Sequence, residues 1–227
     1  MEKFLQKLKS LFYFYILCRY QIAGKNNIIV NKGYPKNVSF IINGDNNIVI
    51  LNEKAKLYNT RIKISGNNNK LIIGENCKIK KSFFHFIDEN CMISIGEHTT
   101  TEGVDFIAET GSHITVGKDC MFSHNIHVRN GDSHSIIDLQ TKKRINFSKN
   151  IIIGDHVWIA AYAKILKGSV IERDSIVGAG SIITGKVDSN TIVAGIPARE
   201  IKRDITWTRI RHYHTLPLSD DMLWKAE

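Results

Sequence analysis

The feature that most constrains the fold is a run of aliphatic residues at every sixth position in the C-terminal half. Because six is not a multiple of 3.6, an α-helix would spread such residues around its whole surface. The alternation of a β-strand would not single out every sixth residue either. The unbroken run is Ile153, Ile159, Ile165, Ile171, Val177 and Ile183. The same spacing recurs upstream at Val116, Phe122 and Val128, and at Ile73 and Ile79.

A coil with three flat sides explains this spacing. Each side takes six residues, one turn takes about 18, and the aliphatic residue of each side points into a shared shaft. On this pattern Ile153 stacks under Ile171, and Ile159 stacks under Val177. Stacked coils bury a continuous core that no single coil could bury alone. The sequence therefore predicts an all-β solenoid, and six consecutive matches disfavour an ordinary β-sandwich.

The repeat is interrupted by one long segment, which we call the 129–150 loop. The interval from Val128 to Ile153 is not a multiple of six, so the chain must leave the coil between them. A long loop that leaves a rigid scaffold is a common place for functional residues. This loop carries Asp132 and His134, and then the basic run TKKRINFSK. Such a run is either a solvated surface or a docking strip for a polyanion, with Lys142, Lys143 and Arg144 as its candidate contacts.

The composition limits the binding partners and the cellular compartment that we expect for this chain. The 227 residues include 31 Lys and Arg against 22 Asp and Glu, a net charge of +9, which suits an anionic partner. No nucleic-acid-binding module is recognisable, so we expect no nucleic acid partner. No pair of the four cysteines has the C-x-x-C spacing. We expect them to be reduced and mostly buried, as in a cytoplasmic protein, while a cysteine nucleophile stays an open alternative.

The chain ends predict two appendages. Apolar residues recur at helical spacing over residues 1–20, so residues 1–25 are expected to form a helical appendage. That helix either packs on protein or lies on a membrane face as a basic amphipathic helix. No apolar run reaches the ~18 residues that span a bilayer. Residues 26–199 are expected to form the solenoid, and residues 200–227 a C-terminal cap.

Four segments together carry a resemblance to a known family. They are the loop sequence DSHSI and the stretches IGDHVWIA, VGAGSIITG and VAGIPAREIK. Over about residues 43–202 the chain resembles the left-handed parallel β-helix acyltransferases, also called hexapeptide-repeat acetyltransferases. Within them it is most similar to the polysaccharide O-acetyltransferases. The resemblance implies a left-handed parallel β-helix, a homotrimer, acetyl-CoA bound between subunits and no metal.

The resemblance also implies roles for individual residues. An alcohol needs a base to attack a thioester, and a histidine side chain titrates near neutral pH. His134 matches the family's base, and Asp132 either orients its ring or only makes a turn. Trp158 matches the position at the acceptor and thioester site, and His124 and His127 would line the acceptor site. The matching acetyl-CoA positions are Trp158, Ala160, Ala161, Gly178, Ala179, Thr184, Arg199 and Lys202.

The expected function is acetyl transfer to a hydroxyl of an anionic capsular or surface polysaccharide. A first alternative is N-acetylation of a nucleotide-linked amino sugar on the same fold. Less favoured alternatives are a gamma-type zinc carbonic anhydrase and a non-catalytic scaffold. A carbonic anhydrase of that type pairs histidines five residues apart, a spacing that His124, His127 and His134 do not show. We expect a cytoplasmic protein, with residues 1–20 as a candidate contact with the inner membrane face.

Overall fold

The computed structural model describes residues 18–210 of the chain, and within them three sheets form the three sides of one coil. Sheet A contains β1 (Arg19–Ala23), β4 (Ser39–Asn43), β7 (Arg61–Ser65), β10 (Phe83–Phe86), β13 (Val104–Ala108), β16 (Ile126–Arg129), β19 (Lys164–Leu166) and β22 (Ile182–Ile183). Sheet B contains β2 (Ile28–Asn31), β5 (Ile48–Leu51), β8 (Lys70–Ile73), β11 (Met92–Ile95), β14 (His113–Val116), β17 (Ile151–Ile153), β20 (Val170–Ile171) and β23 (Lys186–Val187). Sheet C contains β3 (Tyr34–Lys36), β6 (Lys56–Tyr58), β9 (Lys78–Lys80), β12 (Thr100–Thr101), β15 (Met121–Phe122), β18 (Trp158–Ile159), β21 (Ile176–Val177), β24 (Ile192–Gly195) and β25 (Ala198–Lys202).

The chain visits the sheets in the order A, B, C and then starts the next coil, so strands β1 to β24 pair in parallel with their equivalents one coil away. The predicted all-β solenoid is confirmed as a parallel β-helix. The predicted registers are confirmed as well, because Ile153 pairs with Ile171 and Ile159 pairs with Val177. No helix of residues 18–210 is long and apolar enough to cross a bilayer.

The core of the molecule is the shaft that the sequence pattern predicts. All six residues of the unbroken run are at most 2% exposed, and Val116, Phe122, Val128, Ile73 and Ile79 are buried with them. Phe84 stacks on Phe106 with ring centroids 5.1 Å apart, so aromatic rings also stack from coil to coil. A continuous apolar column therefore holds the three sides together.

The N-terminal coils are longer than the predicted three units of six. Arg61 pairs with Phe83, and Phe83 pairs with Asp105, so the interval between equivalent positions exceeds the one that separates Ile153 from Ile171. Their sheet A strands are four or five residues long and direct two side chains inward, as Phe84 and Phe86 show. Their corners use asparagine at positive φ, a conformation that asparagine tolerates better than most residues. At one corner these residues are Asn46, Asn68 and Asn90, each with a φ of 57°.

The predicted N-terminal boundary is wrong. Arg19–Ala23 forms strand β1, which pairs with Ser39–Asn43, so the solenoid begins before residue 26. The physical reason is that apolar residues alternate along this strand, and Tyr20 and Ile22 pair with the buried residues Phe40 and Ile42 of sheet A. The ring of Tyr20 stacks on Phe40 at 4.8 Å. The rest of the predicted helix, residues 1–17, lies outside the described residues.

The predicted limit between solenoid and cap falls inside a strand. Ala198–Lys202 forms β25, which pairs antiparallel with β24 and ends sheet C. The chain then folds back along the corner between sheets B and C, where Trp207 is buried. The part of the predicted cap beyond residue 210 is outside the described part of the chain.

Candidate active site

The 129–150 loop leaves the coil at the corner between sheets A and B. It begins at the end of β16 in sheet A and returns to β17 in sheet B. His134 lies near its start and is exposed to solvent. The amide of His134 donates to the carbonyl of Asp132 at 2.7 Å, which makes a tight turn, and Ser133 between them has a φ of 61°. The imidazole therefore projects from a turn at this corner.

A buried ion pair fixes the start of the loop to the coil below. The side chain of Glu109 is 3% exposed and accepts hydrogen bonds from Arg129 at 2.7 and 3.0 Å. It also accepts from the amide of Ser133 at 2.8 Å, one residue before His134. The backbone at Gly131 passes so close that a Cβ there would lie 2.5 Å from Glu109 Oε2. Sequence reasoning missed Glu109, whose only signal is an acidic residue directly after a buried strand.

A second anchor is Asn146, which holds the two sides of the loop together. Its Nδ2 donates to Asp132 Oδ2 and to the carbonyl of His134, both at 2.8 Å, and its Oδ1 accepts from the amide of Ile136 at 2.7 Å. Lys167 from the next coil makes an ion pair with Asp132. The hydrogen bond from Lys167 is the largest cause that lowers the pKa of Asp132, followed by the one from Asn146. The Asp132 carboxylate therefore holds the turn, and within the described chain it makes no hydrogen bond to the His134 ring.

The basic run of the loop divides into two parts. Arg144 is half-buried and bonds within the loop, donating to Asn146 Oδ1 at 3.3 Å and lying 5.5 Å from the centroid of Phe147. Lys142 and Lys143 are exposed. The loop also exposes large apolar side chains, which no part of residues 18–210 covers. The most exposed are Leu139 at 81%, Phe147 at 62% and Ile145 at 61%.

Trp158 lies on the outer side of sheet C, as the six-residue pattern predicts. Its neighbour Ile159 is buried in the shaft, while Trp158 is half-buried between Met121 and Ile176 of the adjacent coils. Beside it, small residues follow one another up the sheet. These are Ala160, Gly178 and Ala194, and a Cβ on Gly178 would lie 2.8 Å from the Cβ of Ala194. This side of sheet C is a shallow groove that leaves room for a slender ligand.

Two cations stand at the upper end of that groove. In the antiparallel pair at the end of sheet C, Arg199 is opposite Ala194 and Lys202 is opposite Ile192. Both side chains are exposed, so they suit phosphate groups. Thr184 and Arg199 line one cavity of about 260 Å³. Ala161 and Ala179 lie at the neighbouring corner, where the amide of Gly180 donates to the carbonyl of Ala161 at 2.9 Å. Most of the predicted acetyl-CoA positions thus lie on sheet C or at its corner with sheet A, whereas Thr184 follows β22 of sheet A and lies at the corner between sheets A and B.

His124 and His127 lie together at the corner between sheets C and A. Both line a groove of about 370 Å³. The Nδ1 of His124 is 3.2 Å from Ser123 Oγ, and its ring meets Tyr162 edge-on at 5.3 Å. The Nδ1 of His127 is 3.4 Å from Asp105 Oδ2. These two histidines lie where sheet C meets sheet A, and β16, which carries His127, leads into the 129–150 loop.

Within one chain the 129–150 loop and Trp158 lie on opposite sides of the coil. Residues 130–134 are fixed at the corner between sheets A and B, and sheet C is the side of the triangular coil opposite that corner. Among the described contacts none joins His134 to Trp158. The two residues therefore lie apart within residues 18–210.

A network of polar residues attaches the C-terminal segment beside Trp158. His156 Nδ1 is 2.8 Å from Asp119 Oδ2, and His156 Nε2 is 2.8 Å from the carbonyl oxygen of Trp207. Both partners are acceptors, so the ring makes both hydrogen bonds only when it is protonated. The Trp207 indole stacks on that ring at 4.2 Å and lies 6.1 Å from the Trp158 ring. Arg209 adds an ion pair to Asp119 at 2.9 Å.

We expect this attachment to weaken as pH rises. Burial lowers the pKa of His156, but the bonds to Asp119 and then Trp207 outweigh it, so the pKa lies above its ordinary value. The stabilisation is therefore full below the ordinary pKa and is lost as pH rises through the raised one. The protection factors of residues 203–210 against hydrogen exchange, which correct for the intrinsic rise of exchange with pH, should fall over that range. A His156→Gln variant should show low protection factors at every pH, and protection factors that stay constant with pH in the unmodified protein would contradict the role of the protonated ring.

Within residues 18–210 the cysteine thiols are poorly suited to act as nucleophiles, and the metal-binding residue types are not grouped. Cys77, Cys91 and Cys120 are buried and form no disulfide, as predicted. Burial raises the pKa of Cys77 and of Cys120 to about 12, so these thiols stay protonated at neutral pH and are poor nucleophiles. Within residues 18–210 no three His, Cys, Asp or Glu side chains are grouped to hold a metal ion.

Comparison with known proteins agrees with this fold. The bacterial transferase hexapeptide (six repeats) family matches residues 150–185. The solved structure of the polySia-specific acetyltransferase NeuO has a TM-score of 0.83 and 32% identity, and the match covers 88% of this chain and 93% of that one. The chain belongs to the hexapeptide-repeat transferase family. A second solved structure, the polysialic acid O-acetyltransferase OatWY, has a TM-score of 0.83 and 30% identity over 87% of this chain and 94% of that one.

A curated relative gives a shorter match. The chain is 36% identical over 115 residues to the polysialic acid O-acetyltransferase of Escherichia coli O1:K1 / APEC, which is 51% of this chain and 38% of the relative. The chain spans less than two thirds of the length of the first curated relatives that it matches. The family membership therefore covers the solenoid with its loop.

Proposed function

We propose that this protein transfers the acetyl group of acetyl-CoA to a hydroxyl of an anionic capsular or surface polysaccharide. The observation that carries the proposal is a β-helix that matches two polysialic acid O-acetyltransferase structures over nearly its whole described length and presents the DSHSI turn from an anchored loop. The groove on sheet C supports it, because a row of small residues there ends at Arg199 and Lys202. Those cations suit the phosphates of CoA.

The chemistry assigns His134 as the general base. A neutral imidazole accepts the proton of the acceptor hydroxyl while the oxygen attacks the thioester carbonyl. The imidazolium then returns that proton to the CoA thiolate, so the transfer is direct and needs no acyl-enzyme. Asp132 acts as a positioning residue in this scheme, because its carboxylate is used by Lys167 and Asn146 to hold the turn.

The active assembly that we propose is a homotrimer in which His134 of one protomer meets Trp158 of its neighbour. Two observations support this arrangement. The loop and Trp158 lie on opposite parts of one chain. The exposed apolar side chains of the loop, such as Leu139 and Phe147, would gain cover from a neighbouring protomer. We place the assembly in the cytoplasm, where acetyl-CoA is available and free cysteines persist.

A panel of acceptors tests the proposal. Purified protein with acetyl-CoA should release CoA thiol at least tenfold faster with polysialic acid or another acidic polysaccharide than with a neutral one. Mass spectrometry should locate the acetyl group as an ester on a hydroxyl, which mild base removes. The alternative N-acetyltransferase would instead acetylate a nucleotide-linked amino sugar, and the amide would survive mild base. Turnover with nucleotide-linked amino sugars alone would overturn the proposal in favour of that alternative.

A further inference from the structure

The outer side of sheet C has a different character on the two sides of Trp158. Toward the C-terminal end Ile176 follows Trp158 in its row, and the small residues Ala160 and Gly178 lie beside that row. Toward the N-terminal end lies a second groove, of about 760 Å³, which we call the lower groove. It begins at Met121, directly beside Trp158, and Arg209 of the C-terminal segment forms part of its wall.

The register of sheet C places the lower groove in line with the candidate site. Neighbouring strands are about 4.8 Å apart, so Lys78 lies roughly 14 Å from Trp158 and Lys56 roughly 19 Å. Tyr34 closes the row at roughly 24 Å from Trp158, and its side chain is exposed. The residues that follow one another on this outer row are Tyr34, Lys56, Lys78, Thr100, Met121 and Trp158.

The lower groove carries unneutralised positive charge. Lys54, Lys56 and Lys78 line it, and none of them has an ion pair with any other residue in the described range 18–210. The acidic residue in its lining, Glu102, is paired with Lys80 at 2.5 Å. A row of free cations with an exposed aromatic ring at its far end suits an extended anionic ligand.

We propose that the lower groove binds a stretch of the acidic polysaccharide several sugars away from the hydroxyl that is acetylated. The inference rests on the proposed function. If acetyl-CoA occupies sheet C from Trp158 to Arg199, an extended acceptor that reaches Trp158 continues on the N-terminal side. There Lys56 and Lys78 pair with the carboxylates of successive sugars, and the Tyr34 ring packs against a sugar face. The groove thus selects acceptors that are both anionic and long.

The test compares a double variant with a matched control on the whole protein. Lys56→Gln with Lys78→Gln removes two charges from the lower groove. Lys25→Gln with Lys63→Gln removes two charges elsewhere, since Lys63 lies on the outer side of sheet A and Lys25 at the turn between β1 and β2. Initial rates are measured with long polysialic acid, with a two-sugar fragment of it, and with varied acetyl-CoA, at low and high salt.

We expect the groove variant to raise KM for the long polymer about tenfold at low salt. Its kcat, its KM for acetyl-CoA and its rate with the two-sugar fragment should match those of the unmodified protein, which also shows that it is folded. The control variant should change none of these constants by more than about twofold.

Separate outcomes overturn the inference and the proposed function. If the groove variant and the control variant have the same KM for long polysialic acid as the unmodified protein, the lower groove is not the acceptor site. If single-stranded DNA of similar charge inhibits transfer as strongly as an unreactive acidic polysaccharide, the groove is a general polyanion surface. If the unmodified protein acetylates no polysaccharide at all, the proposed function fails instead.

Discussion

Replacing His134 with alanine is expected to lower kcat for acetyl transfer by about 10²- to 10⁴-fold, the usual contribution of a general base. The reason is that the acceptor hydroxyl would keep its proton during attack on the thioester. Stability should change by less than about 0.5 kcal/mol, because His134 is exposed and its ring makes no hydrogen bond within residues 18–210. Loss of activity can therefore be separated from loss of fold.

The measurement is kcat with a saturating acidic polysaccharide, together with the melting temperature. Lys63→Gln is a control, since Lys63 lies on β7 of sheet A, away from both the loop and sheet C. It should keep kcat within about twofold, as expected for a substitution outside the site. An unchanged kcat in His134→Ala would refute the assignment of the base, and the two histidines beside sheet C, His124 and His127, would become the next candidates.

The shaft of the solenoid could be predicted from sequence because its physics is local and repeated. One aliphatic residue in six must fill the interior at each side, so the spacing of Ile159 and Val177 predicts that they pair. Trp158 could be placed on the outer side for the same reason, since it precedes a shaft residue. The long loop was equally visible, because any insertion breaks the count between Val128 and Ile153.

The N-terminal coils escaped the same count because their repeat is longer: Arg61, Phe83 and Asp105 are equivalent positions at a constant interval that is not a multiple of six. Sheet A strands there direct a pair of side chains inward and the corners vary, so the interval from Phe84 to Phe106, which stack on each other, is not a multiple of six. Asparagine supplies the corners and also pairs from coil to coil inside them. The backbone amide of Asn69, for example, donates to Asn47 Oδ1 at 2.9 Å. A search for multiples of six does not detect such a repeat.

The anchors of the loop could not be predicted because they join residues that are far apart in sequence. Glu109 and Ser133 are 24 positions apart, and they meet only because successive coils place them at the same corner. Lys167 reaches Asp132 from the following coil in the same way. Sequence reasoning left Asp132 open between a catalytic and a turn role, and within residues 18–210 its carboxylate contacts Asn146 and Lys167.

Glu109 is where we expect the largest combined loss of stability and activity. Glu109→Ala removes one partner of an ion pair whose carboxylate is 3% exposed. The amide of Ser133 loses its acceptor, and Arg129 keeps only the carbonyl of Gly131 and the hydroxyl of Ser133 as acceptors. Removing one partner of a buried pair costs about 3–5 kcal/mol. The lower end applies here, because the Arg129 side chain is 35% exposed and water can solvate it. Urea unfolding should therefore show a loss of about 3 kcal/mol.

The same substitution should also act on catalysis, since Glu109 positions the residue that precedes His134. A shift of about 1 Å in a catalytic group can cost about 10²-fold in rate, so kcat should fall between about 10- and 100-fold. The KM for acetyl-CoA should stay constant, because its proposed groove is on sheet C.

Glu109→Gln keeps the shape of the side chain and should lose about half as much stability. Glu97→Gln is the matched control, since Glu97 pairs with Lys118 at the exposed surface and should leave the urea midpoint nearly unchanged. If Glu109→Ala unfolds more easily but its folded fraction keeps the kcat of the unmodified protein, Glu109 stabilises the coil and does not position the loop.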